Sequence, residues 1–495
     1  MQQLSATDTV FLTQESERAP MHISFLLLYE PARKQGGAVR FKDVLRALES
    51  QLDKSPVFRR KLLQVPLGLD NPYWVEDDAF NLEAHVHHIA LPQPGDWHQF
   101  SNQLAHLHAR ILDRSRPLWE AYVIEGLDNV DWLPKDSFAI FLKIHHAAID
   151  GVAGLEIVSA IHDREPVAPP QATRREKPPA SNTGTESAPS QSRLLARAGF
   201  NSMRQPARMV QAVGKLIPVL SRARTANKTR QSRPTPGQKQ RQTRFGGTIT
   251  AKRATDSCFF KLQDIKAIKS AVPGATINDV VIAIISGAMR RYLLAKSALP
   301  EESLVCGVPV STRTDEDTLR GGNRVGMLSM IMCTDIADPL QRLKQVQIET
   351  TLAKEYSQAV GAGTMLTLSE SIPPLLMAVG IRAALQLQLM TDSSLPMNTT
   401  VTNVPGSRVP LYLCRAKLVR TAAFPPVSNG MGLVHAVLSH EDGLSISIAA
   451  CREMLPDPAF YTECVNASFH ELQDATKKRA PAKRRPAART RTQEL

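Results

Sequence analysis

Fourteen consecutive residues, Phe138 to Gly151 (FAIFLKIHHAAIDG), constrain this chain more than any other stretch. Phe138–Ile144 is apolar apart from one lysine and follows a polar turn at Asp128–Asp136, which predicts a buried strand over Ser137–Ile144. The run ends in two adjacent histidines. Asp150 and Gly151 follow, and then a helix-like segment, Val152–Ile161. Neighbouring side chains on a strand point to opposite faces, so His145 and His146 cannot both enter one pocket if the strand persists through them. One is expected to be a working base and the other to pack or hydrogen-bond. Imidazole titrates near operating pH, which suits a general base. Gly151 lets the chain turn into the helix. A buried structural network of His145, His146 and Asp150 is the competing reading.

Other chemistries are disfavoured by what surrounds these residues. A strand-borne HHxxxD gives awkward metal geometry, HExxH is absent, and His85, His87, His88, His106 and His108 show no ligand spacing, so no metal is expected. No serine lies in a GxSxG elbow and no cysteine in a recognisable nucleophile motif. If the reaction is acyl transfer, the simplest scheme is direct: a base deprotonates an acceptor hydroxyl, which attacks a thioester, and a hydrogen-bond donor stabilises the oxyanion.

At 495 residues the chain has room for two to three domains. Residues 1–165 read as a compact α/β unit with helices at Phe41–Leu52 and Gln99–Leu112. Residues 166–245 read as a linker, first Pro/Ser-rich, then basic. Residues 246–475 form a second α/β unit. Its strand-like runs are Cys258–Leu262, Leu304–Val310, Met327–Cys333, Met397–Val401, Leu411–Leu418 and Leu444–Ala450. A helix is signalled at Thr276–Leu294, with Thr276 and Asp279 as a capping box, and a last helix begins at Asp457–Pro458. Residues 476–495 are a basic, proline-broken tail expected to be disordered.

The net charge of +13 belongs to two segments: fifteen Lys/Arg and no acid lie between Glu186 and Asp256, and eight Lys/Arg stand against Glu494 in the tail. Within Ala207–Ile217, Met209, Val210, Val213, Leu216 and Ile217 share a helix face, with Arg208, Gln211 and Lys215 opposite. Such a basic amphipathic helix suits an anionic membrane surface, or simply packs on the protein body. Phe200 is the sole aromatic in Arg193–Arg230, which disfavours nucleic acid. The six cysteines form no CxxC pair, the N-terminus lacks the features of a signal peptide, and the longest apolar stretch, Pro374–Met390, is broken by Arg382 and two glutamines. A cytoplasmic protein without a spanning helix is expected.

His145–Gly151 (HHAAIDG) resembles the HHxxxDG motif of the bacterial wax ester synthase/diacylglycerol acyltransferases, part of the CoA-dependent acyltransferase superfamily that includes peptide-synthetase condensation domains. Further segments resemble that family in order along almost the whole chain: LSATDTVFLTQES at Leu4–Ser16, MHIS at Met21–Ser24, PLW at Pro117–Trp119, INDVVIAIISGAMRRYL at Ile277–Leu293, PVSTR at Pro309–Arg313, GGNRVGMLSM at Gly321–Met330, and TNVPGS at Thr402–Ser407. The family often has Ser-Asn-Val-Pro-Gly-Pro at the last of these, so the roles of Thr402 and Ser407 are not carried over.

The resemblance implies two subdomains like those of chloramphenicol acetyltransferase, with an active-site tunnel between them. It implies His146 as general base on a diacylglycerol or long-chain alcohol hydroxyl, His145 as its orienting neighbour, and Asp150 as a structural anchor paired with Arg313. Asn278 and Asn403 become candidates for the oxyanion or substrate site, with Asp279 as cap. Acyl-CoA is the implied acyl donor and substrate, with no cofactor. The implied products are triacylglycerol and wax ester, made at the inner face of the plasma membrane or on lipid bodies. Val280–Ile285, Ile372–Val379 and Leu385–Met390 read either as walls of an acyl tunnel or as core. A condensation-type enzyme using a carrier-bound thioester, and a lipid-surface binding protein with a vestigial site, are the competing functions.

Overall fold

The computed structural model describes residues 1–32, 39–149, 151–168, 189–203, 243–311, 325–360, 376–377, 379–381, 383 and 397–479. Two six-stranded sheets and a small three-stranded one form its frame. The small sheet joins β1 (Gln2–Gln3), β3 (Arg60–Leu63) and β4 (Tyr73–Glu76). The first large sheet contains β2 (His22–Glu30), β5 (Val86–Ala90), β6 (Trp119–Glu125) and β7 (Phe138–His145). The second contains β8 (Arg253–Lys261), β9 (Val305–Ser311), β10 (Val325–Ile331), β11 (Thr399–Pro405), β14 (Leu433–His440) and β15 (Gly443–Cys451).

Two strands cross between the halves. β12 (Tyr412–Leu413) and β13 (Ala416–Phe424) come from the second half of the chain yet complete the first sheet, whose order is β12-β13-β2-β7-β6-β5. The second sheet runs β10-β9-β11-β14-β15-β8. A division of the chain at residue 246 therefore does not divide the molecule in space. Leu411–Leu418, read from sequence as one strand, is a hairpin: Cys414 and Arg415 both take left-handed backbone angles, φ 50° and 68°, and fold β12 back on β13. β13 lies beside β14 and β15, and Ala436 and Leu438 of β14 are buried in the core of the first half.

β2 and β7 sit at the centre of the first sheet, and every residue of β7 is buried. Doubly covered strands read as continuous apolar runs, which is how Phe138–Ile144 reads. The helix Gly151–Ala160 follows the histidine turn. Its Gly154 lies so close to Phe25 that an added Cβ would come within 2.8 Å of that ring. The absence of a side chain there lets the helix seat against β2.

In the second half, the helix Ile277–Ala295 is capped by Thr276, whose hydroxyl accepts from Asp279 N–H at 3.2 Å while the Asp279 carboxylate accepts from Thr276 N–H at 2.7 Å. Asp279 is thus a cap, as its spacing predicts. Val280–Ile285 is at most 1% exposed and belongs to the second core. The Ile372–Val379 and Leu385–Met390 runs fall largely or wholly outside the described residues, as does Ala207–Ile217. No described helix is long and apolar enough to cross a membrane.

The halves are fastened by more than the crossing strands. Phe100 and Leu104, from the helix Trp97–Ala109, share a core with Val434, Ala449 and Cys451. Trp97 Nε1 donates to Asp256 Oδ1 at 2.8 Å, and Thr462 Oγ1 donates to Asp256 Oδ2 at 2.9 Å. One buried carboxylate therefore ties a helix of the first half, β8 and the final helix, Pro458–Arg479, together.

Candidate active site

β7 ends at His145, and the change of direction there separates the two histidines. His145 pairs across the sheet with His22 and is fully buried. Its backbone N–H donates to Leu118 O at 2.9 Å, so the PLW segment holds the strand end. His146 lies one residue beyond the strand, in the turn, and is half-buried. Its backbone N–H donates to Met21 O at 2.8 Å, and its ring lies on Phe11, with centroids 4.1 Å apart and planes at 19°.

The two imidazoles have different capacities. Ala147 N–H donates to His145 Nδ1 at 3.0 Å, so that nitrogen carries a lone pair and the ring proton belongs on Nε2. His145 Nε2 lies 3.3 Å from Glu15 Oε1. His145 is held in one tautomer inside the protein and is poorly placed to take a substrate proton. His146 is half-buried as a residue, with its Nδ1 buried. Burial, and next the neighbouring His145, pull its pKa from the ordinary 6.5 to about 4. It is therefore neutral, and able to accept a proton, throughout the neutral range.

Glu15 and Phe11 were not singled out from sequence. Both belong to the helix Ala6–Gln14 or its cap, which begins at Ser5, where Asp8 N–H donates to Ser5 Oγ at 3.0 Å. They are 130 residues or more from the histidines, and no local periodicity connects them. The only available signal is that both fall in LSATDTVFLTQES, the segment that resembles the family opening. Glu15 accepts from Met21 N–H at 3.1 Å and from Arg114 Nε at 2.9 Å. Its carboxyl is lowered to about 2: burial alone would raise it, but His145, Arg114 and Met21 N–H together outweigh burial. Glu15 is an anion at any working pH.

The remaining sequence candidates divide. Asn403 Nδ2 donates to Asn278 Oδ1 across a long 3.4 Å, bringing β11 and the start of the helix Ile277–Ala295 together. With its oxygen turned to Asn403, Asn278 has its amide N–H groups left to present elsewhere. Both residues are half-buried. Gly151 opens its helix as expected. Asp150 and Arg313, and hence their pairing, lie outside the described residues. Trp119 is buried, donates from Nε1 to Phe58 O at 3.0 Å and stacks on His85, so it is a core residue. Directly after Asn403, Val404–Ser407 lines a cleft of about 750 Å³ that is also lined by Glu156 and Ser159 of the helix Gly151–Ala160. Among the described residues no three His, Cys, Asp or Glu side chains cluster as metal ligands would.

The ring on Phe11 gives a test. Phe11→Ala opens His146 to water and relieves the burial that depresses it. The acidic limb of the kcat/KM–pH profile is expected to move upward from near 4 toward 6.5. A limb that stays in place would show that Phe11 does not shield the ring.

The chain matches the wax ester synthase/diacylglycerol acyltransferase catalytic domain over residues 4–281 and the WS/DGAT C-terminal domain over 321–473. Rv1760 of Mycobacterium tuberculosis (strain ATCC 25618 / H37Rv), provisionally assigned as a diacylglycerol O-acyltransferase, is 31% identical over 92% of this chain and 87% of its own length. The probable diacylglycerol O-acyltransferase tgs2 of the same strain is 29% identical over 96% and 99%. Among solved structures, the wax ester synthase/diacylglycerol acyltransferase from Marinobacter aquaeolei VT8 superposes with a TM-score of 0.64 at 25% identity, covering 96% of this chain and all of that one. The first condensation domain of the calcium-dependent antibiotic synthetase shares the fold, with a TM-score of 0.55 at 14% identity and 96% coverage of both chains. Family match, full-length relatives and the two-sheet architecture agree, and the chain belongs to the wax ester synthase/diacylglycerol acyltransferase family of acyltransferases.

Proposed function

We propose that the protein transfers a long-chain acyl group from acyl-CoA to diacylglycerol or a fatty alcohol, giving triacylglycerol or wax ester, by direct general-base catalysis. The observation that supports this most is the asymmetry of the histidine pair: His145 is committed to Ala147 N–H and Glu15, while His146 is neutral and only half-buried. His146 takes the hydroxyl proton as the acceptor oxygen attacks the thioester carbonyl. The tetrahedral oxyanion accepts a hydrogen bond, with the Asn278 amide the candidate donor. As the oxyanion collapses, the C–S bond breaks and the imidazolium returns its proton to the departing CoA sulfur. Atoms and charge balance without an acyl-enzyme. Asp150 and Arg313 are proposed to pair and brace the motif loop.

Product analysis by thin-layer chromatography, with palmitoyl-CoA and either dioleoylglycerol or hexadecanol, tests the assignment. Turnover only from a carrier-bound acyl group would favour a condensation-type reaction, and no turnover from either donor would favour a lipid-surface binding protein. Neutral-lipid products are insoluble in water, and the basic segment between Glu186 and Asp256 suits an anionic surface. Peripheral attachment to the cytoplasmic membrane face or lipid bodies is therefore part of the proposal. Flotation with anionic and with neutral liposomes checks it: equal recovery in the protein-only control would remove it.

A further inference from the structure

We propose that Glu15 is a positioning residue for acyl transfer, holding both histidines from one carboxylate. This rests on the reading of His146 as the base and extends it to a residue 131 positions earlier in the chain.

The geometry converges on Glu15 from four directions. Its Oε1 faces His145 Nε2 at 3.3 Å and accepts from Met21 N–H at 3.1 Å. Its Oε2 takes Arg114 Nε at 2.9 Å and lies 2.7 Å from Arg114 Nη2. Arg114 in turn donates to Leu12 O at 2.6 Å, within the helix that precedes Glu15. Met21 is the link to the second histidine: its N–H goes to Glu15, and its carbonyl accepts the backbone N–H of His146. The carboxylate thus sets the His145 ring directly and the His146 backbone through a single residue.

The same helix places Phe11, one turn earlier, against the His146 ring. Leu12 and Ala147 share a small apolar cluster that docks the helix on the motif turn. The N-terminal helix is therefore a wall of the active site, and Glu15 is where that wall carries charge.

The consequence for the reaction is one of orientation. With Ala147 N–H on Nδ1, the His145 ring turns its Nε2 toward Glu15, so the amide and the carboxylate together fix its orientation at the motif turn. Arg114, with its side chain 38% exposed, compensates Glu15 in the resting enzyme from the side facing solvent.

The test uses Glu15→Gln, which preserves shape and an acceptor oxygen but removes the charge. We expect kcat to fall at least tenfold with KM for acyl-CoA unchanged within about twofold. Glu15→Asp should recover part of the loss. The decisive comparison is Glu15→Gln combined with His146→Ala, which should be no slower than His146→Ala alone, because Glu15 acts through His146. Additive losses, or an unchanged kcat in a folded Glu15→Gln protein, would overturn the proposal. A His146→Ala enzyme with full activity would instead overturn the assignment of the base, whatever Glu15→Gln shows. Circular dichroism and thermal melting of each variant separate unfolding from these outcomes, and a Glu15→Gln protein too unstable to assay transfers the comparison to Glu15→Asp.

Discussion

His146→Ala is expected to lower kcat by about a hundredfold or more, the range in which a positioned general base operates, while leaving the melting temperature close to that of the unaltered protein. A hundredfold corresponds to about 2.7 kcal/mol of transition-state stabilisation. Stability should hold because the ring is half-buried and its described ring contact is the stack on Phe11. His145→Ala should behave differently. It removes a fully buried ring, takes one of several partners from the Glu15 carboxylate and leaves Ala147 N–H without its acceptor, so melting temperature and rate should both fall. If the pattern is reversed, with His145→Ala stable and slow and His146→Ala unstable, then His145 is the base and the tautomer argument fails.

The second large effect is on stability, at Asp256. Asp256→Ala leaves Trp97 Nε1 and Ser257 N–H without their acceptor and deprives the Thr462 hydroxyl of one, across the seam between the halves. A loss of about 2–4 kcal/mol is expected from such unsatisfied groups, measured by urea unfolding. Asp256→Asn should be far milder. Its oxygen can still accept from Trp97 and Ser257, and its amide can donate to Thr462 Oγ1, whose own proton has Ala459 O at 2.9 Å. Burial raises the Asp256 pKa despite the three opposing hydrogen bonds. A carboxyl raised on folding favours the folded state fully below its unfolded value near 3.8. That contribution is lost as pH rises through the higher folded value. The Asp256→Asn protein should therefore lose less stability between pH 4 and neutrality than its parent does. Equal costs for Ala and Asn would show that the carboxylate does not secure the seam.

How far the sequence could be read depends on whether the deciding contacts are local. The strand ending in His145 and the cap at Thr276 were legible because alternation, apolar runs and capping spacing act within a few residues. The six apolar residues Val280–Ile285 cover all sides of their helix, which requires burial all round, and they lie in the core. The Cys414–Arg415 turn was not legible, because neither residue carries the Gly or Asn signature of left-handed geometry. Nor does any local pattern state which sheet a strand will join, and Ala416–Phe424 joined the distant one. The candidate site divides the same way. HHxxxDG marks the proposed base, but the carboxylate and aromatic ring that set its surroundings arrive from the opposite end of the half-chain, through a tertiary contact.

Placement of Ala416–Phe424 beside His22–Glu30 has a bearing on how the protein is made. On the ribosome, the first lobe waits for nearly four hundred more residues after β2 has emerged before its outer pair of strands becomes available. Until then β2, with its run of fully buried leucines, offers a bare edge to any other extended chain. Cutting the gene between the lobes should yield an N-terminal fragment that aggregates, and co-expression of the C-terminal fragment should restore solubility only if it carries that strand pair.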